Sequence, residues 1–275
     1  MKPRNPAAPR LSSLAAAGLL IFALLGVGCS NSGSADATAP ADSLDTDSGD
    51  TAASSDTTAS DNDTTAADDN SEPAPTEASN EASTFLVQVW ADNWMAVYVD
   101  GELVGEDSVS ITTERSFNAE EFTFEATYPF VLGIQAKDFM ETESGIEYIG
   151  EANQQMGDGG LIAQVTDVAS GEVVAVTDAS TTAFITQRAP LNPACERSAD
   201  PDSECESETN DVSTDWAAAD FDDSDWSNAT EWNAAAVSPK DGYDEIDWDS
   251  AAQLIWGTDL EIDNIIVFRM DVTNQ

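Results

Sequence analysis

The side chains that carry most enzyme chemistry are scarce in this chain, and that scarcity narrows its options. Among 275 residues there is no histidine, and cysteine occurs only at positions 29, 195 and 205. Without imidazole there is no Ser-His-Asp or Cys-His relay, no histidine acid/base work, and none of the usual zinc or copper sites. Cys195 and Cys205 sit in a polar segment that also holds Pro193 and Pro201. A metal site is the rival to a bridge there, but two thiols without histidine make a poor zinc site. In an oxidising compartment the expectation is a Cys195–Cys205 disulfide, worth roughly 2–3 kcal/mol for so short a loop. No free thiol nucleophile would then remain beyond Cys29. A glycosidase needs only a pair of carboxylates. Here 53 Asp and Glu residues face 9 Lys and Arg, so none stands out. Gly157-Asp158-Gly159-Gly160 precedes a strand and is too short for a dinucleotide fingerprint, and there is no P-loop. The expectation is a protein that is not an enzyme.

Carboxylates without partners can still hold a hard cation. Ca²⁺ takes about six to eight oxygens from Asp, Asn, Glu and backbone carbonyls. The acidic loops on offer are Asp92/Asn93, Asp158 in the glycine-rich turn, Asp222/Asp223/Asp225 and Asp259/Glu261/Asp263. Asp158, Asp222 and Asp223 are the foremost candidates, although no loop has EF-hand spacing and a solvated surface is the alternative for each. Sugar binding needs aromatic faces beside hydrogen-bonding groups. Trp94, next to Asp92-Asn93, and Trp232, Tyr243 and Trp248 lie in polar, loop-like contexts. Asp92, Asn93, Trp94, Tyr243 and Trp248 are therefore the candidate ligand contacts, with rim packing the competing role for each ring. The acidic loop Lys240–Glu245 could line such a site.

The elements that would position these residues begin with an export signal. Lys2, Arg4 and Arg10 precede an apolar or small-residue stretch from Leu11 to Gly28, densest over Ala15–Leu25. That length suits the apolar region of a signal peptide and falls short of the roughly 20 residues needed to span a bilayer. It runs into Leu25-Gly26-Val27-Gly28-Cys29-Ser30, where small residues fit a peptidase cleft and the thiol can accept a diacylglycerol. This stretch resembles the bacterial lipobox. The resemblance implies a signal at 1–28, lipidation (diacylglycerol and palmitate) at Cys29, and a lipid-anchored place in the cell envelope, on the outer membrane or cell surface. Several acyl chains hold a protein to a membrane where one alone is marginal.

Residues 29–84 read as a disordered tether. From residue 30 they are mostly Ser, Thr, Ala, Asp, Asn, Pro and Glu, with 13 acidic residues, no basic one, and Leu44 as the one large aliphatic side chain. Too little apolar surface is present to offset chain entropy. From Phe85 the composition changes: all seven Trp and all four Tyr lie between Trp90 and Trp256. Apolar runs at Phe85–Trp90, Met95–Val99, Phe122–Ala126, Val131–Ala136, Leu161–Thr166, Val173–Thr177, Phe184–Gln187, Leu254–Trp256 and Ile265–Val272 predict strands. Asp100-Gly101 and Ala169-Ser170-Gly171 predict turns between them. One short helix is predicted around Thr214–Ala219. The expectation for 85–275 is an all-β domain, an antiparallel β-sandwich or jelly roll.

Three motifs add a resemblance. Asp92-Asn93-Trp94-Met95-Ala96-Val97-Tyr98-Val99-Asp100-Gly101 with Glu102-Leu103-Val104-Gly105 is similar to the hairpin of galactose-binding-like β-sandwiches. Phe221-Asp222-Asp223-Ser224-Asp225-Trp226 is similar to their FDDSxW loop, and Leu254-Ile255-Trp256 with Ile266-Val267-Phe268-Arg269 to their closing strands. The order of the motifs resembles that of an uncharacterised extracellular family. The resemblance implies a carbohydrate-binding or accessory domain, in which structural Ca²⁺ is frequent. Read as residues, Phe221 and Trp226 anchor both ends of a loop to the core, and Asp222, Asp223 and Ser224 bond its backbone. Arg269, on an apolar strand, is expected to partner a carboxylate rather than a ligand.

Removing the three basic residues of the signal and the 13 acids of the tether leaves 6 basic and 40 acidic residues, net −34. Such a surface repels nucleic acid and anionic membrane faces. A saline habitat or Ca²⁺ binding would account for it. The functions that fit are a surface-tethered carbohydrate-binding or adhesion module, an envelope lipoprotein that scaffolds other proteins and, third, a carbohydrate-active enzyme.

Overall fold

The structure, a computed structural model, describes residues 81–113 and 117–274. The signal, Cys29 and the tether as far as residue 80 lie outside the described residues; the sandwich begins two residues before the expected boundary at 85, because Ser83 and Thr84 already pair in the first strand. The first strands are β1 (Ser83–Asp92), β2 (Trp94–Val99), β3 (Glu102–Glu106), β4 (Asn118–Ala126) and β5 (Phe130–Lys137). A small ribbon follows, β6 (Ile146–Glu147) with β7 (Gln155–Met156), and then β8 (Gly160–Asp167), β9 (Val173–Val176) and β10 (Thr182–Arg188). The last group is β11 (Glu208–Thr209), β12 (Ser227–Asn228), β13 (Thr230–Trp232), β14 (Leu254–Trp256) and β15 (Asp263–Val272).

All pairings are antiparallel. One sheet runs β13-β14-β8-β1-β4 with β9 on β8; the other runs β11-β10-β15-β5-β2-β3 with β12 on β10. The chain crosses between the two sheets at β1→β2, β3→β4, β4→β5, β9→β10, β12→β13 and β14→β15, and passes from β5 to β8 by way of the β6–β7 ribbon, giving the sandwich its jelly-roll character. Strand alternation explains the layers. Phe85, Val87, Val89 and Ala91 of β1 face the shared core with Leu132, Ile134, Ile266 and Phe268 of the opposite sheet. Trp90 points the other way and is nonetheless buried, under Val237, Leu254 and the segment around Tyr243 and Trp248. Full burial of an aromatic side chain stabilises by about 2–3 kcal/mol, so this outer layer is part of the fold.

The segment 213–226 covers the outer face of the second sheet, with Trp216 and Ala217 against Val267, and Tyr98, Phe184, Phe221 and Trp226 around them. Gly133 on β5 leaves room for the Trp216 ring, because a Cβ there would lie 2.9 Å from it. The helix predicted at Thr214–Ala219 is instead a run of turns. Its carbonyls turn outward from a helical ladder: Arg269 Nη1 donates to Trp216 O (2.5 Å) and Ala218 O (3.0 Å). The Cys195–Cys205 disulfide is formed, with Cα atoms 5.4 Å apart. Among the described residues no helix is long and apolar enough to cross a membrane.

Candidate metal centre

Three strand ends meet at one end of the sandwich. β1 finishes at Asp92, β5 finishes one residue before Asp138, and Asp158 lies two residues before β8. Pairing of Asp92 with Gly160 and of Trp94 with Lys137 puts these termini side by side. One carboxylate oxygen from each of Asp92, Asp138 and Asp158 lies within 4.8 Å of the others. Ca²⁺–oxygen bonds of about 2.3–2.6 Å place ligands of one ion within about 5 Å of each other, so the three could hold a single cation.

The backbone around Asp138 is fixed from two sides. Asn93 N donates to Lys137 O (2.8 Å), and Asp138 N donates to Asn264 O (2.8 Å). Asn93 Oδ1 accepts from Phe139 N (2.6 Å), so the amide nearest Asp138 is already engaged. Gly157 closes the space above: a Cβ at that position would fall 1.7 Å from Asp138 Oδ2. Only a glycine lets the 155–160 segment pass over the carboxylate.

Asp92 is 0% and Asp138 1% exposed, and none of their four carboxylate oxygens has a hydrogen-bond partner among the described residues. A buried polar atom left unsatisfied costs about 1–3 kcal/mol, more when charged. Burial, reinforced by the charge of Asp158, raises the Asp92 pKa well above the usual carboxylate range. Burial and the charges of Asp92 and Glu147 do the same for Asp138. Glu147 is also buried and accepts from Gln155 Nε2 (2.9 Å). Lys240 supplies the nearby positive charge, with Nζ 2.9 Å from Asp158 Oδ2 and 3.7 Å from Asp92 Oδ2. Partial burial pulls its pKa down, and Asp92 and Asp158 more than offset that, so it is raised.

The other candidate residues are dispersed. Asp222 is exposed and accepts from Ser224 N (3.1 Å) in the anticipated Asx turn. Asp223 accepts from Arg269 Nε (3.1 Å) and Thr182 Oγ1 (2.7 Å), which makes it the carboxylate expected for Arg269. Neither belongs to the carboxylate cluster that includes Asp158. Asn93 is buried and acts through its bonds to the Lys137–Phe139 turn. Trp94 is the first residue of β2, half-buried, with Lys137 Nζ 4.4 Å from its ring centroid. Tyr243 packs edge-on against Trp90 at 5.7 Å, and Trp248 donates its indole N–H to Tyr243 O (3.0 Å). Trp232 likewise donates to Gly257 O (3.1 Å). An open groove of about 540 Å³ runs beside β9, bordered by Asp178, Ser180, Thr182, Asp223, Asp249 and Arg269. It offers many groups to sugar hydroxyls, but no aromatic side chain among its described lining residues.

Asp138 escaped the sequence reading. Its signal was an acid directly following an apolar strand, Phe130–Lys137, at the position where such strands turn. Compared with models of protein families, with curated proteins and with solved structures, the chain has no significant match.

Proposed function

We propose that this chain is an exported, lipid-anchored binding module, a non-catalytic carbohydrate-binding or adhesion sandwich whose loop end is organised by Ca²⁺. Its one membrane attachment in this reading is Cys29, and the acidic tether carries the domain away from the lipid. The observation that supports the cation is the set Asp92, Asp138 and Asp158: two carboxylates buried without hydrogen bonds beside a third, under a glycine that leaves space at Asp138. Hard oxygen donors without nitrogen or sulfur suit Ca²⁺. With Ca²⁺ in place the buried charges gain their counter-ion, and the β1–β2 corner, the end of β5 and the start of β8 become one rigid unit. The resemblance of 92–105 and 221–226 to galactose-binding-like modules supports a glycan ligand, and the polar groove beside β9 supplies groups for its hydroxyls. The net charge of −34 on residues 85–275 argues against nucleic acid as a partner.

The test is a glycan array and soluble-polysaccharide titration of the full chain in Ca²⁺ and again in EDTA. Binding that EDTA abolishes is the expected result. A chain that binds Ca²⁺ but no glycan, and instead retains an envelope protein in the presence of competing sugar, would replace the carbohydrate reading with the scaffolding one.

A further inference from the structure

We infer that Lys240 is the internal counter-cation of the Asp92–Asp138–Asp158 site, and that a divalent ion enters by displacing its ammonium. This rests on the cation-binding reading above and adds to it a residue that sets the affinity. The site is more than an acidic cluster, because Asp138 is 1% exposed, directed into the group, and without a hydrogen-bond partner at either oxygen among the described residues.

Three observations place Lys240 in competition with a metal. The first is position. Its Nζ donates to Asp158 Oδ2 at 2.9 Å and lies 3.7 Å from Asp92 Oδ2, so it sits at two of the three carboxylates that the ion would need. The second is charge. One ammonium against three carboxylates leaves the group undercompensated, and Lys240 has no contact at Asp138. A doubly charged ion, small enough to touch all three oxygens, offsets more of the negative charge from a shorter range.

The third observation is how the residue is mounted. The backbone on either side of Lys240 is held in place. Val237 is buried over Gly160, where a Cβ would lie 2.5 Å from its Cγ1. Asp241 O accepts from Trp90 Nε1 (3.1 Å), Tyr243 N donates to Lys240 O (3.2 Å), and Gly242 adopts φ 91° against the backbone of Asn118 and Ala119. The side chain itself is 40% exposed, with its ammonium 4.5 Å from the Phe117 ring centroid. A fixed Cα with a half-exposed flexible stem lets the ammonium swing out to water without unfolding the segment. Asp158, 37% exposed, forms the matching open side of the site. The ion therefore enters between Asp158 and Lys240 and settles against the buried pair.

The experiment is isothermal titration of the detergent-solubilised full chain with CaCl₂, for the wild type, Lys240→Gln, Lys240→Arg and Asp138→Asn. Lys240→Gln is expected to bind Ca²⁺ about tenfold or more tightly than wild type, because a repelling charge a few ångströms from the ion is gone. Lys240→Arg, which keeps the charge, is expected to stay within about threefold of wild type, and Asp138→Asn to lose binding. Measurable binding by Lys240→Gln when wild type shows none would support the same inference more strongly. Wild-type binding that Lys240→Gln leaves unchanged or weakens would overturn the role of Lys240 while preserving the cation site. Equal tightening by Gln and Arg would also overturn it, by showing that shape rather than charge matters. No binding by wild type or Lys240→Gln would remove both the inference and the reading beneath it.

Discussion

Asp138→Asn separates a cation site from a structural carboxylate, because the two roles give opposite signs of stability change. In the metal-free protein Asp138 is buried among acids, with Asp92 and Asp158 oxygens within 4.8 Å. At an effective dielectric of about 20, two unit charges that close repel by roughly 3 kcal/mol. Burial and the neighbouring acids raise the pKa values of Asp92 and Asp138, the direction that this repulsion dictates. Replacing Asp138 by Asn removes one member and provides an amide donor, so the metal-free domain should gain about 1–3 kcal/mol. Ca²⁺ at a hundred times its Kd should stabilise the wild type by about 2.7 kcal/mol and the variant not at all. At roughly 2–4 °C per kcal/mol for a domain of this size, that is a rise of about 5–10 °C for the wild type between EDTA and saturating Ca²⁺. Calorimetry of both proteins in both buffers gives the four melting temperatures required. The expected order places Asp138→Asn above wild type in EDTA, with no further rise in Ca²⁺. A wild type indifferent to Ca²⁺, or an Asp138→Asn protein less stable than wild type in EDTA, would refute the reasoning.

Three further outcomes follow from other parts of the fold. Arg269→Lys removes the donors to Trp216 O and Ala218 O and the Nε bond to Asp223, and should cost about 3–5 kcal/mol in urea unfolding while exposing 213–226 to limited proteolysis. Burial raises the pKa of Asp107 from 3.8 to about 6, so the folded state disfavours its charged form. Stability from this group is therefore full below about pH 3.8 and lost as pH rises to about 6; Asp107→Asn should match wild type at pH 3.5 and exceed it by about 1–3 kcal/mol at pH 8, measured by denaturant titration. Replacing Cys195 and Cys205 together by Ala should lower stability by about 2–3 kcal/mol, and reduction of the wild type should produce the same loss.

Much of the sandwich was legible because its signals are local. Alternation along 85–91 and 131–136 marks which side chains enter the core, and Asp100-Gly101 and Ser170-Gly171 turn the chain where predicted. The Phe221–Trp226 loop anchors through both rings, at 5.5 Å from each other, as two large apolar residues five apart in a polar loop suggest. The fate of Arg269 could also be anticipated, since a guanidinium on a buried strand must find acceptors. The aromatic residues of loops were harder. Trp248 and Tyr243 stand in polar sequence, yet they cover Trp90, whose outward face on β1 is buried only once the 233–252 segment lies over it.

By itself the sequence determined the alternation of strands, the pairing of two cysteines, the absence of imidazole chemistry and a surface rich in acid. These depend on residue type and near neighbours. Tertiary structure alone decided which few of the acids matter. Asp92, Asp138 and Asp158 span 66 positions of chain, and what singles them out is burial without hydrogen bonds, a property of the packed sandwich. That burial exists because β1, β5 and β8 end at one edge, because Asn93 and Asn264 hold the Asp138 turn, and because Gly157 has no Cβ to fill the space between them.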